Sequence, residues 1–154
     1  MPSKILVING PNSGDLNDAD GVEDSVPGLE DIRRACEKHC NDSNIELDFR
    51  QSDDPRVLIE WLQKDSDNFD GLIFNPVVHS AGDSDISELY ESAMRIIAQS
   101  GKPAIEVRLN NIYKPDENNS KQAHKPGCNM GFVCGFGLHG YLLAINAMAQ
   151  RVAT

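Results

Sequence analysis

The stretch KILVINGPN, residues 4–12, opens on an apolar run that stops at Gly10-Pro11. A short apolar run closed by a turn signal reads as a buried strand. Outward from it, the apolar spacing changes period. Leu29, Ile32, Cys36 and Cys40 recur at helical intervals, and Ile45–Arg50 (IELDFR) alternates as a strand does. Val57, Leu58, Trp61 and Leu62 return to helical spacing behind Pro55, which at a helix start lacks only an N–H the helix would not use. Gly71–Asn75 (GLIFN) gives a third strand. Ile86, Leu89, Tyr90, Ala93 and Ile97 give a third helix, opened by Asp85 with Glu88 three residues on as a capping box. Pro103–Val107 forms a fourth strand and Phe132–Cys134 a short fifth. Leu138, Tyr141, Leu142, Ile145 and Met148 mark a closing helix. Strands alternating with helices predict an α/β protein whose parallel sheet is covered on both faces.

Bulk properties fit that reading. A chain of 154 residues suits one well-buried domain, and no composition shift, repeat or low-complexity segment marks a boundary within 1–154. Lys and Arg number 14 against 24 Asp and Glu, a formal charge of -10, which argues against nucleic-acid binding. No apolar run reaches membrane-spanning length, and MPSKILVING lacks the build of a signal peptide, so a soluble cytoplasmic protein is expected. Cys36 and Cys40 stand one helical turn apart on the stripe of Leu29 and Ile32. Neither their spacing nor that of Cys128 and Cys134 suits zinc, and buried free thiols are expected. His39 lies between the first pair, but each helical step turns a side chain by about 100°.

In open parallel sheets, ligands bind beyond the carboxyl ends of the strands. Those ends hold Asn9-Gly10-Pro11-Asn12, Gln51-Ser52-Asp53, Asn75-Pro76 and the run Glu106 to Asn111. Polar turns after strands are common, but four converging on one edge predict a pocket. Glu106 and Arg108 fall two apart and share one face of the fourth strand.

ILVINGPN, DGLIFNP, EVRLNNIY and GFVCGFGLHGYLLAINAM resemble, in order and spacing, the type II 3-dehydroquinate dehydratases over nearly the whole chain. The resemblance implies a flavodoxin-like three-layer sandwich with a five-stranded parallel sheet. It also implies homo-oligomers of trimers grouped into dodecamers, and a reaction that needs no metal or cofactor. In that chemistry a lid tyrosine, helped by a lid arginine, takes a proton to give an enolate. An asparagine of the first motif holds a stabilising water, and a histidine with a neighbouring glutamate protonates the departing hydroxyl. Carried over, Asn12 and Glu106 fall on catalytic positions. Asn75, Leu109 and Asn110 fall on substrate-binding ones, and Glu88 stands where an aspartate reaches in from a neighbouring subunit.

Other positions depart from that pattern. The lid, SGDLNDADGVEDSVP from Ser13 to Pro27, holds no tyrosine and no arginine. The acid position is Arg108, the substrate-binding histidine is replaced by Ala81 with His79 two residues before it, and Asn110 replaces a serine. The remaining phenols are Tyr90, on a helix stripe, and Tyr113 and Tyr141, at positions not catalytic in the family. Arg108 has two readings. It neutralises Glu106 as an ion pair, or it presents its planar fork to a ligand carboxylate and so projects beyond the fourth strand near Asn12 and Asn75.

Two further motifs fail on context. Gly135-Phe136-Gly137-Leu138-His139-Gly140 matches a dinucleotide fingerprint, but no second strand and acidic residue follow it. In the acidic lid, alignment on Gly21 puts Leu16 and Pro27 at the first and last positions of a calcium loop, where neither can bind a metal. Three functions stay open: a lyase scaffold with altered substrate or chemistry, a catalytically silent homologue binding a small polar or carboxylate-bearing ligand, and a genuine 3-dehydroquinate dehydratase of the shikimate or quinate pathway.

Overall fold

The computed structural model describes residues 2–10, 28–76, 84–109 and 130–153, without the side chains of 84–89, 130 and 153. Five strands and four α-helices follow one another along these residues, alternating except where β5 comes directly after β4. They are β1 (Ser3–Asn9), α1 (Leu29–Asp42), β2 (Ile45–Gln51), α2 (Pro55–Asp65), β3 (Gly71–Asn75), α3 (Ser84–Ser100), β4 (Ala104–Arg108), β5 (Met130–Cys134) and α4 (Leu138–Ala153). A single 3₁₀ turn, Ser66–Asn68, follows α2. All strand pairs are parallel, in the order β2-β1-β3-β4-β5. This is the doubly wound, flavodoxin-like arrangement that the sequence led us to expect.

Position in the sheet explains each strand's composition. β1 is an interior strand covered on both faces, so Ile5, Leu6, Val7 and Ile8 have no exposure and the run cannot alternate. β2 is an edge strand and keeps its alternation: Leu47 and Phe49 pack inward while Glu46 stays exposed. One face of the sheet packs Ile5, Val7, Ile73 and Val107 against Ile32 and Cys36 of α1 and Tyr141, Ile145 and Met148 of α4. The opposite face packs Leu6, Ile8, Leu72, Phe74 and Ala104 against Leu58 and Leu62 of α2 and Ala93 and Ile97 of α3.

Local signals set the helix starts. Asp54 precedes α2 and accepts a hydrogen bond from the Arg56 N–H at 2.9 Å, with Pro55 in the first turn. Asp31 of α1 reaches back to the Gly28 N–H at 3.2 Å. The capping side chains expected at Asp85 and Glu88 lie outside the described residues. β4 runs from Ala104 to Arg108, one residue later than expected, because Arg108 is buried as part of the strand rather than turned out. Cys36 and Cys40 are buried free thiols. Burial pushes the Cys36 thiol up to about 12 and that of Cys40 to about 11. Cys134 is free and half-buried, and Cys128 lies outside the described residues. Among the described residues, no helix is long and apolar enough to cross a membrane.

Candidate functional site

The strand order reverses direction between β1 and β3, so the crevice at their carboxyl ends is where this architecture places a ligand. Asn9 and Asn75 are register partners there, both buried. The Gly10 N–H donates to the Asn75 carbonyl at 2.7 Å, which draws the chain after β1 tightly against β3. A Cβ at Gly10 would lie 2.4 Å from the Pro76 carbonyl oxygen, so the glycine is a steric necessity.

A chain of polar groups runs beneath this crevice. The Asn75 amide donates to the Tyr141 hydroxyl at 2.7 Å, and that hydroxyl donates to Asn9 Oδ1 at 2.6 Å. Asn9 Nδ2 then donates to the Arg50 carbonyl at 2.9 Å. Tyr141 is fully buried, and burial holds its phenol protonated well above the usual range. It therefore serves as a fixed donor. Because it donates to Asn9, it must accept from Asn75, and this sets which way the Asn75 amide faces.

Glu106 and Arg108 lie on the other face of the sheet. Period two along β4 puts both side chains on one face, as the sequence spacing implied, and that face turns toward α3, whereas Asn75 faces α4. Arg108 therefore does not project toward Asn75, contrary to one expectation. The Glu106 side chain has no exposure. Its Oε2 accepts from Arg108 Nε at 2.7 Å and its Oε1 accepts from the Tyr90 hydroxyl at 2.5 Å. The Arg108 guanidinium carbon lies 5.9 Å from the centre of the Tyr90 ring. The expected ion pair is thus formed, with a third member from α3.

Of the other expected site residues, Leu109 is half-buried and packs on the α1/α4 side. Asn12, His79 and Asn110 lie outside the described residues, as do Tyr113, the lid 13–27 and the side chain of Glu88. His139 is exposed in the first turn of α4. The glycines before that helix are turn-formers: Gly135 and Gly137 have φ of 86° and 57°. His39 reaches across from α1 to Asn146 of α4, 2.6 Å from its Oδ1.

Sequence reasoning overlooked Asn9, Tyr90 and Tyr141 as polar partners. A signal existed for Tyr141 and Asn9. A phenol on a fully apolar stripe needs a buried hydrogen-bond partner, and a polar residue closing a buried strand can supply one.

Comparison with known proteins agrees with this architecture. The family model described as dehydroquinase class II matches residues 3–149. The chain belongs to the class II dehydroquinase family. Its sequence is 33% identical over 156 residues to 3-dehydroquinate dehydratase 1 of Agrobacterium fabrum, covering 99% of this chain and 100% of that one. To the 3-dehydroquinate dehydratase of Rhizobium meliloti it is 33% identical over 151 residues, covering 96% and 95%. Among solved structures it resembles the type II dehydroquinase from Propionibacterium acnes, with a TM-score of 0.74, 25% identity and coverage of 97% and 98%. A 3-dehydroquinate dehydratase-like protein from Bifidobacterium longum shares the fold, with a TM-score of 0.65, 22% identity and coverage of 99% of each chain. The five-stranded parallel sheet with its flanking helices is therefore the fold of that family.

Proposed function

We propose that this dehydroquinase-family chain has lost most or all dehydration of 3-dehydroquinate and uses the same strand ends for a small polar or carboxylate-bearing ligand. The observation that carries this reading is Arg108. It stands two residues after Glu106, at the position of the acid, and a guanidinium does not give up a proton in a protein. Glu106 is no substitute, since both its carboxylate oxygens already accept hydrogen bonds, from Tyr90 and Arg108. The lid sequence from Ser13 to Pro27 offers neither a phenol nor a guanidinium.

On this reading Asn12 serves whatever chemistry remains, Glu106 holds Arg108 in place, Asn75 supports the crevice from beneath through Tyr141, and His79, Glu88, Arg108, Leu109 and Asn110 contact the ligand. Losing one general acid or base costs a rate factor of roughly 10² to 10⁴. The losses here need not multiply, because residues that act as a unit are not additive. The test follows the ultraviolet absorbance of the enone product formed from 3-dehydroquinate. Turnover at least roughly a thousandfold below that of the Agrobacterium fabrum relative is expected. Comparable turnover would overturn the proposal and favour a genuine dehydratase, the activity named for the full-length relatives.

A further inference from the structure

Residues 126–150 contain no Asp, Glu, Lys or Arg, in a chain where those types make up 25%. They supply the edge strand β5 and most of α4. The other helices turn charge to solvent: Arg34 and Glu37 on α1, Glu60 and Lys64 on α2, Glu91 and Arg95 on α3. Before Arg151, α4 exposes only His139, Leu143, Asn146, Ala147 and Gln150. Among the described residues, the large hydrophobic side chains left exposed are Phe136, at 59%, and Leu143, at 46%. Both belong to this uncharged unit.

The exposed residues of α4 are not scattered. His139, Leu143, Asn146 and Gln150 recur at intervals of four, three and four, so they line one stripe along the helix. That is the spacing at which two helices pack seam to seam. Phe136 extends the stripe beyond the helix start, because its Cβ lies 4.0 Å from where a Cβ on Gly140 would sit. The turn that carries it is fastened to the end of β4. The Gly135 and Gly137 N–H groups donate to the Arg108 and Leu109 carbonyls at 3.2 and 3.0 Å. A fixed, contiguous and uncharged apolar strip on an otherwise charged surface is what the centre of a protein interface looks like.

We propose that this stripe is an isologous contact between two copies of the chain, α4 against α4 about a two-fold axis. Charge selects the occupant. Each copy carries a formal charge of -10, so two copies repel except where neither brings charge to the contact. A basic partner would be drawn to the acidic remainder of the surface instead, and an anionic membrane would repel the chain. Charge also selects the matching surface. Setting the stripe against α1, α2 or α3 of a second copy would strip water from their ions without pairing them. The stripe meets no such cost against itself, and a patch that is its own complement generates a two-fold contact. Phe136 and Leu143 are its anchors, and the small Ala147 lets the partner helix approach. Asn146, 2.6 Å from His39 of α1 through its Oδ1, lies on the polar margin.

Leu143→Glu and Leu143→Lys, purified separately and weighed by sedimentation equilibrium, test this. The wild type should be an assembly at micromolar concentration. Each variant brings like charges together across the axis and should weaken association about a hundredfold or more. Its mean mass should then fall to roughly half that of the wild type or less. Mixing the two variants should restore the larger species, because opposite charges then face each other across the two-fold. Should either variant fail to give a folded circular dichroism spectrum, the same pair of substitutions at the exposed Ala147 replaces it. A monomeric wild type, wild-type mass in both variants, or a mixture no larger than its components overturns the inference. The contact stands apart from the proposed function, which the turnover of 3-dehydroquinate by the wild type reports separately.

Discussion

Removing the guanidinium of Arg108 would strand the Glu106 carboxylate, whose side chain has no contact with solvent. Breaking a buried pair from one side costs about 3–5 kcal/mol, whereas replacing both charges together costs far less. Arg108→Met should therefore lower unfolding stability by about that amount in urea titrations, and Glu106→Gln/Arg108→Gln should recover most of it. Equal losses in the two variants would show that the pair contributes packing rather than charge compensation. Tyr141 is a gentler case. Tyr141→Phe keeps the ring in its core and deletes a hydroxyl that serves both Asn9 and Asn75. The two amide groups then lose a buried partner, and a loss of about 1–3 kcal/mol is expected in the same assay.

At the scale of elements, the tight approach of β1 to β3 makes Gly10 the sensitive position. An added methyl would meet the Pro76 carbonyl, a backbone group that cannot swing aside, at 2.4 Å. Gly10→Ala should cost about 1–3 kcal/mol in thermal or urea unfolding. Gly131→Ala, whose methyl would meet the Ile105 side chain at 3.3 Å, should cost less. The elements themselves were largely legible. β1 and β3 announce themselves as apolar runs because both faces are buried, and α1 and α2 by their spacing and by Pro55. The end of β4 was not, because Arg108 looks like a turn residue until its partner two positions earlier removes the penalty for burying it. That Glu106 and Arg108 share a face followed from period two alone. That Asn75 faces the other way did not, since the phase between strands is set by the pairing of Phe74 with Glu106, which no local pattern encodes. Tyr90 joins the site only because α3 packs over that same face.

For the whole molecule, the buried thiols and the buried phenol set an alkaline limit. Cys36 rises from 9.0 to about 12, Cys40 to about 11, and Tyr141 also rises, each mainly through burial. The unfolded chain therefore releases these protons first as pH climbs. Their contribution to stability is fully present below about pH 9 and is lost as pH rises toward about 12. The urea midpoint should fall across that window, and Cys36→Ala should flatten the fall. A midpoint equally steep in the variant would assign the slope to other groups. Assembly is the remaining expectation at this scale. With Glu88 standing, by the resemblance, where a carboxylate reaches in from a neighbouring subunit, light scattering should find trimers or dodecamers, and a monomer at micromolar concentration would remove that shared-site role. The link between Asn9 and Tyr141 has a consequence for synthesis as well as for stability. Its partners lie 132 residues apart, so a chain emerging from the ribosome displays the end of β1 long before the hydroxyl that fastens it exists. That bond is thus among the last contacts the nascent protein can make, long after the β1 and β3 ends it fastens have been synthesised.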